Sequence, residues 1–469
     1  MIENKYGRLV VDMAVFTIGT VLTKLVQFLL LPLYTTYMTT ETYGVAELTN
    51  NMSELLFPIV TLCIYEAAFR YAVGSKHSKE EIISASIKVL FLSALAGAVL
   101  AVCAKHIIGY EYAFYLYFIL FAYSFRMLIA YYVRGKGLSK LFAVSGIINA
   151  IFLAIFSIVF LILLKWGVKG YLLAIAFSYL FSMLFLFFGA CIYKEVRVVS
   201  SNKGVTKELL NYSMPLIFYN IGYWLTTMSG RYILLWNTNS STAGVYAAVI
   251  KMAAVINMLQ QAFYAAFQLN TSREYESDDK EQYFTNIFKL YAACILIFGS
   301  IILCLSPILA KLTLKNEFYS AKVYLPLILF VAIIDCLFCF FKTMYTTYKL
   351  TKRAVPSMII GTVVNIIICF ATVTSFGIWG ICIASLFCYV SQAIYRIFDV
   401  RKFVTIHCNW IVIIPCVLLL VIQVLCLTTY SLPGLLVSCL ITIIVVLYNL
   451  IFYKKELLQI MKRLSLKNK

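Results

Sequence analysis

About fourteen runs of roughly 20 mostly apolar residues follow one another along this chain, each long enough to cross a bilayer. They fall near 10–37, 43–72, 84–104, 112–133, 141–164, 170–193, 212–236, 244–269, 285–310, 322–348, 355–375, 380–400, 410–430 and 433–453. In hydrocarbon every backbone N–H and C=O must be satisfied within the segment, so runs of this length read as helices. Composition agrees: 63% of the 469 residues are hydrophobic and 13% charged, against about 45–50% and about 25% in soluble domains. The first run is too long for a signal peptide and reads as a membrane helix.

The net charge of +19 raises the question of nucleic acid. The basic residues argue against it, because they sit in short clusters between apolar spans rather than on one polar element. With the N-terminus inside, about 27 Lys and Arg fall on the cytoplasmic side and about six outside, so both termini are expected in the cytoplasm. The 14 cysteines follow no disulfide framework. Cys336 and Cys339 form a lone C-x-x-C inside an apolar run and read as packing residues. His77, His106 and His407 are scattered over predicted loops, so no metal site is expected. The longest loop lies near 193–209. That counts against a membrane glycosyltransferase or polymerase, which would need a catalytic carboxylate facing a sizeable loop.

The chain also repeats itself at an offset of about 200–216 residues. Gly44-Val45 and Met52 recur as Gly244-Val245 and Met252. Tyr132, Lys136 and Asn149 recur as Tyr348, Lys352 and Asn365. Gly167, Gly170, Ala174 and Tyr179 recur as Gly377, Gly380, Ala384 and Tyr389. Each repeat holds six helices, an even number, so both copies insert in the same direction, as in one recurrent transporter plan. The expected organisation is an N-lobe over 1–195, a cytoplasmic linker over 196–209 and a C-lobe over 210–403. Two helices outside the repeat follow over 404–453, and a basic cytoplasmic tail over 454–469.

Positions i, i+7 and i+11 share one helix face. Asn220, Thr227 and Arg231 keep that spacing. So do Asn257, Tyr264 and Gln268, with Gln261 between them, and Glu47, Asn51 and Glu54 form a third stripe. Polar stripes that include charges point to a water-filled cavity, whereas single amides serve helix–helix hydrogen bonding. The in-span cations are Lys24, Lys88, Arg126, Arg231, Lys251 and Lys342, and the in-span carboxylates Glu54, Glu66 and Asp335. Lys88 and Lys342 are near span ends and are expected to snorkel. Asp335 and Lys342 are seven residues apart, about 10 Å along the axis, too far for a direct pair. Lys24, Arg126 and Arg231 are costly in apolar surroundings, and a basic excess favours an anionic cargo such as a phosphate.

The segment TKLVQFLLLPLYTTYMTTETYGVAEL, from Thr23 to Leu48, resembles the first-helix signature of bacterial polysaccharide exporters. Leu31-Pro32-Leu33-Tyr34-Thr35 stands for the LPLYT-like end, and Thr40, Glu41, Tyr43 and Gly44 for the following turn. GRYILLWNTNSSTAGVYAAVIKMA, from Gly230 to Ala253, resembles the seventh-to-eighth helix region, and the glycine pairs 167–170 and 377–380 fit as well. The family is the oligosaccharide flippase branch of the multidrug/oligosaccharidyl-lipid/polysaccharide exporter superfamily. This resemblance implies two six-helix lobes arranged as a V plus two C-terminal helices. It implies a non-enzymatic flippase in the bacterial cytoplasmic membrane. Such a protein moves undecaprenyl-pyrophosphate-linked oligosaccharide to the outer leaflet by alternating access. The energy source is a proton or sodium gradient rather than a cofactor, and polysaccharide assembly proteins are potential partners. Lys24, Arg126 and Arg231 would bind the pyrophosphate with Lys251 in support, while the Asn220, Asn257 and Gln261 stripes would face sugars. Glu54, Glu66 or Asp335 would carry the coupling ion. Glu66 and Arg70 are either a local i,i+4 pair or an inner gate. One departure stands out: the family's acidic residue before the arginine is Gly230 here, which puts a coupling role at Arg231 in doubt. The alternatives within the superfamily are a flippase for lipid II or another lipid-linked precursor, and a drug antiporter, against which the basic excess counts.

Overall fold

The computed structural model describes residues 25–26, 28–73, 77–196, 203–274, 280–348 and 350–453. Its regular elements are all helical. The first half comprises α1 (Leu31–Tyr37), α2 (Thr40–Thr61), α3 (Ile64–Val73), α4 (Lys79–His106), α5 (Ala113–Gly135), α6 (Ser139–Ser157) and α7 (Gly167–Gly189). Then come α8 (Lys203–Asn237), α9 (Ser240–Glu274), α10 (Lys280–Cys304), α11 (Ser306–Thr313) and α12 (Leu325–Thr347). The series closes with α13 (Ala354–Phe376), α14 (Ile378–Val400), α15 (Trp410–Thr428) and α16 (Leu432–Phe452). A π-helical turn, Ile158–Leu163, continues α6.

Among the described residues eleven helices are long and apolar enough to cross a membrane, and the bent pair α2–α3 is so when its two helices are taken together. Two of the fourteen expected spans are therefore not reached by this measure. The first, 10–37, lies mostly outside the described residues, as does Lys24. The other, 212–236, is inside α8, a continuous helix whose Asn220, Thr227, Ser229 and Arg231 dilute its apolar content. Both α8 and α9 run for 35 residues. At 1.5 Å per residue that is about 50 Å, well beyond a ~30 Å hydrocarbon core.

Local chemistry sets the helix ends. Thr39 and Thr42 form a reciprocal capping box at the start of α2, and Ser78 and Glu81 do the same for α4, so the first free N–H groups find acceptors. Pro32, Pro307 and Pro433 occupy first turns, where a missing N–H costs nothing. Between α2 and α3 the chain turns by 59° at Leu62 and Cys63, both in the left-handed region that β-carbon-bearing residues avoid.

The chain divides into two compact units, 1–229 and 230–469, with the division inside α8. Each unit contains the repeat motif in matching form. Gly167 and Gly377 take positive φ of 55° and 53° immediately before or at the helix start. One helical turn later Gly170 and Gly380 press against backbone of the preceding hairpin arm, where an added β-carbon would lie 3.0 Å from the Phe160 carbonyl oxygen and 2.8 Å from Thr372. Ala174 and Ala384 are buried, as are Asn149 and Asn365. α6–α7 and α13–α14 are the most extensively packed helix pair of their respective units. The two last helices pack on α10 and α12 rather than forming a further repeat. A polar knot holds them: Gln423 donates to Ser300 O at 3.0 Å, Ser438 Oγ at 2.9 Å and Thr442 Oγ1 at 3.1 Å.

Candidate substrate and coupling sites

In the first unit α5 and α7 bring Arg126 over an aromatic floor. The guanidinium lies 5.6 Å from the Tyr179 ring centre, and its Nε donates to Ser182 Oγ at 3.0 Å. Ser182 in turn donates to the Ser145 carbonyl at 2.8 Å, so the acceptor is held in place. Tyr123 packs against Tyr179 with ring centres 4.9 Å apart. Glu54 and Arg126 both lie within electrostatic reach of this tyrosine pair. A guanidinium has five N–H donors. Here Nε is used, Nη1 approaches only Met127 Sδ at 4.0 Å, and no carboxylate pairs with the group among the described residues. Donors therefore remain for a bound anion.

The third stripe resolves into two environments. Glu54 is exposed, but Glu47 and Asn51 are buried at 3% exposure each. Glu47 accepts a short hydrogen bond from the Tyr171 hydroxyl inside a box of Tyr34, Tyr43 and Tyr171 rings. The Asn51 carbonyl accepts from Trp224 Nε1 at 3.1 Å. This part of the stripe is packed interior and not cavity wall. Sequence reasoning placed Glu47 on the stripe without seeing that a tyrosine 124 residues away caps its carboxylate.

At the α2–α3 break Asn220 donates to Cys63 Sγ at 3.5 Å and to the Leu216 carbonyl at 2.9 Å. It braces the bend of the broken span. Glu66 and Arg70 do not pair: Arg70 is exposed, and the cation that faces Glu66 is Arg134 of α5. The Arg134 guanidinium itself lies over the Phe69 ring at 5.1 Å. The i,i+4 reading fails because α3 turns Arg70 to the surface while α5 supplies a nearer cation.

In the second unit α9, α12 and α14 enclose a cavity of about 100 Å³ lined by Asp335, Asn257, Tyr246, Ser385 and Tyr389. A cavity of that size with several polar groups holds water or a small cation, since a single water needs only about 10–15 Å³ on this measure. Asn257 Oδ1 accepts from Cys336 Sγ at 3.2 Å. Asp335 makes no direct ion pair among the described residues, as its spacing from Lys342 implied, though Arg396 and Lys342 are within electrostatic reach. Arg231 lies near Tyr246, at the edge of the same group, and its buried Nε has no hydrogen-bond partner. Gln261 Oε1 is likewise buried without a partner, and Lys251 is half-buried on the same helix. The side chain of Gln268 lies outside the described residues, as does the 454–469 tail. Lys88 and Lys342 are exposed, consistent with snorkelling.

The position before Arg231 is closely packed. A β-carbon on Gly230 would sit 3.1 Å from Ile381 Cγ2 and 3.5 Å from Cys369 Sγ, so a side chain there presses on Ile381 of α14. One buried charge is not among the sequence candidates. Arg396 is 7% exposed and donates to Ser357 Oγ at 3.2 Å and, in a shorter contact, to Gln392. A clue was present in its position, 16 residues past Gly380 on a helix that runs to Val400.

The family described as "Polysaccharide biosynthesis protein" matches residues 9–267. The chain belongs to that family. Among solved structures, the lipid II flippase MurJ in an inward closed conformation superposes with a TM-score of 0.64 at 14% identity, over 94% of this chain and 99% of that one. An inward-facing multidrug resistance MATE transporter of the MOP superfamily superposes with a TM-score of 0.60 at 13% identity, over 84% and 98%. An outward-facing MATE transporter gives 0.54 at 15% identity, over 83% and 95%. At these identities the likeness establishes the fold. No curated protein sequence matches. This member of the polysaccharide biosynthesis family is a multi-pass helical membrane protein of the MATE and MurJ architecture.

Proposed function

We propose that this protein is a transporter and not an enzyme, and that it moves undecaprenyl-pyrophosphate-linked oligosaccharide from the inner to the outer leaflet of a bacterial cytoplasmic membrane. The observation that carries the proposal is the match to a polysaccharide biosynthesis family in a chain with the fold of a lipid-linked-precursor flippase. The chemistry supports it. A pyrophosphate cannot cross hydrocarbon without compensating charge. Arg126 retains donors unused by the protein, and Arg231 offers a buried N–H without a partner. Lys24, Lys251, Asn220, Asn257 and Gln261 complete the proposed substrate contacts.

Asp335 is the preferred coupling group. It lines a polar cavity without a direct partner, whereas Glu66 faces Arg134 and Glu54 shares a tyrosine pair with Arg126. A proton or sodium ion entering that cavity would be bound by a carboxylate, an amide and hydroxyls. Both termini are placed in the cytoplasm by the excess of basic residues there. Polysaccharide assembly proteins remain the proposed partners. A lipid II or related precursor as cargo is the second reading, suggested by the fold shared with the lipid II flippase MurJ.

The test is lipid analysis of a strain lacking the protein, with spheroplasts probed by a sugar-modifying reagent that cannot enter. Build-up of a complete lipid-linked oligosaccharide that stays inaccessible supports the proposal. Accessible but unpolymerised units sink it and return a later, enzymatic step.

A further inference from the structure

A second cavity, of about 200 Å³, lies wholly inside the first unit and contains none of the proposed substrate contacts. It is a crevice between α4 and α5, closed at the back by Leu56 and Val60 of α2. Its α4 wall is Leu90, Ala94, Gly97, Leu100, Ala101 and Ala104, four of which carry no side chain beyond a methyl. Neighbouring α4 residues Phe91, Leu95 and Val99 are exposed, as lipid-facing side chains are. The α5 wall is apolar and aromatic except for Ser124, which is 3% exposed, lines the crevice and has no hydrogen-bond partner for its hydroxyl. At the other end Lys105 follows the wall residue Ala104, and its ammonium lies 4.7 Å from the ring of Phe114 at the start of α5. The nearby carboxylate, Glu111, pairs with Lys169 at 3.3 Å, and Lys105 has no carboxylate partner among the described residues.

We propose that this crevice holds the isoprenoid chain of an anionic prenyl-phosphate lipid, with the phosphate at Lys105. This occupant rests on the transport reading above. Three features select it. An ammonium with no carboxylate partner among the described residues, carried by the residue next to the wall residue Ala104, calls for an anionic amphiphile. The small residues Ala94, Gly97, Ala101 and Ala104, between Leu90 and Leu100, give local width for the methyl branches that a polyprenyl chain bears and a straight acyl chain lacks. The orphan Ser124 hydroxyl, about 16 Å along the helix from Ala113, meets an acceptor in an olefin π face, a weak hydrogen bond that a saturated chain does not offer. The crevice would keep the carrier lipid on the protein by its tail while its sugars are handled elsewhere.

The test uses the full chain in phosphatidylcholine nanodiscs with two diazirine probes, a polyprenyl phosphate and a phosphatidic acid, and maps labelled peptides by mass spectrometry. The prenyl probe should label α4 and α5. Gly97→Leu, which fills the slot, should cut that labelling ~10-fold, the worth of ~1.4 kcal/mol. Lys105→Gln should cut it severalfold while Ser124→Ala lowers only the preference for the prenyl probe. Labelling that persists in a Gly97→Leu protein melting like wild type overturns the proposal. Equal labelling by phosphatidic acid overturns the isoprenoid assignment in favour of ordinary annular lipid. Should Gly97→Leu not fold, an unchanged signal in Lys105→Gln overturns it instead. Labelling requires no transport. Crevice labelling without oligosaccharide build-up in the deletion strain would remove the transport reading alone, and the reverse pattern would remove the crevice alone.

Discussion

Tyr179 and Tyr389 occupy the same place in the two repeats, yet they serve opposite charges. On α7, Tyr179 lies under the guanidinium of Arg126. On α14, Tyr389 lines the cavity of Asp335. The scaffold around them is shared: a left-handed glycine at or before the helix start, a second glycine seated on the preceding helix, and a buried alanine. Duplication therefore preserved the backbone packing, where any added atom collides, and left the polar side chains free to diverge. The difference fits the proposal in which Arg126 of the first unit binds the anionic cargo and Asp335 of the second couples the ion.

The sharpest way to break that division is to neutralise each charge in turn. Arg126→Ala should lower transport ~10–100-fold, the worth of ~1.5–3 kcal/mol for hydrogen bonds to a charged group, through weaker cargo binding with the ion response intact. Asp335→Asn should leave cargo binding and abolish the response of transport to an imposed proton or sodium gradient. Vesicle assays with and without a gradient separate the two, and identical phenotypes would end the division.

The shared scaffold makes a second, smaller prediction. Gly380→Ala and Gly170→Ala should each destabilise the protein by ~1–3 kcal/mol through overpacking, with Gly380 the more sensitive because the backbone it meets would lie at 2.8 Å against 3.0 Å. Thermal melting in detergent measures this, and a neutral Gly380→Ala would undo the structural equivalence. Gly167→Ala and Gly377→Ala, which meet open space but require positive φ, should cost about 1 kcal/mol or slightly more.

Restoring the family's acid tests the local packing at the start of the second unit. Gly230→Asp should lower the melting temperature by forcing Ile381 and Cys369 apart, and it should not raise transport. Improved transport at wild-type stability would show that Arg231 lacks its proper neighbour.

The smallest effect belongs to a contact of the first unit outside the spans. His77 Nε2 lies 2.8 Å from Glu208 Oε2, and Tyr71 donates to the other oxygen at 3.3 Å. The hydrogen bond from His77 holds the Glu208 carboxyl below its ordinary value. A depressed carboxyl contributes stability above its unfolded pKa of about 4.3, and that contribution disappears as pH falls through the lower folded value. Hydrogen exchange at Tyr71 and His77 should therefore rise at acid pH in wild type and be nearly pH-independent over that window in Glu208→Gln. Because the group is exposed, global melting should barely change.

Much of this was legible in the order of residues. The spans follow from hydropathy, the repeat from the matched G-x-x-G-x-x-x-A-x-x-x-x-Y segments, and the cost of Arg126 and Asp335 from their apolar surroundings. Other assignments required the folded chain. Sequence spacing offers Glu66 and Arg70 as a local pair or an inner gate, and in the folded chain Glu66 faces Arg134. Arg396 reads as one cation in a cytoplasmic cluster, but the hairpin of α13 and α14 buries it between Ser357 and Gln392. The α8 span was read from length, although its polar residues keep it below the apolar threshold that the other spans meet.

The sequence by itself determined that this is a twofold-repeated bundle of membrane helices, because hydrophobic length and periodicity are local properties that lipid reads directly. Only the tertiary structure decided which charges are answered. Glu47 is capped by Tyr171, and Gly230 is seated against Ile381 and Cys369. Asp335 faces a cavity, and Ser124 an apolar crevice. In hydrocarbon a polar group must find its partner among the other helices, and which helix supplies it depends on how they pack.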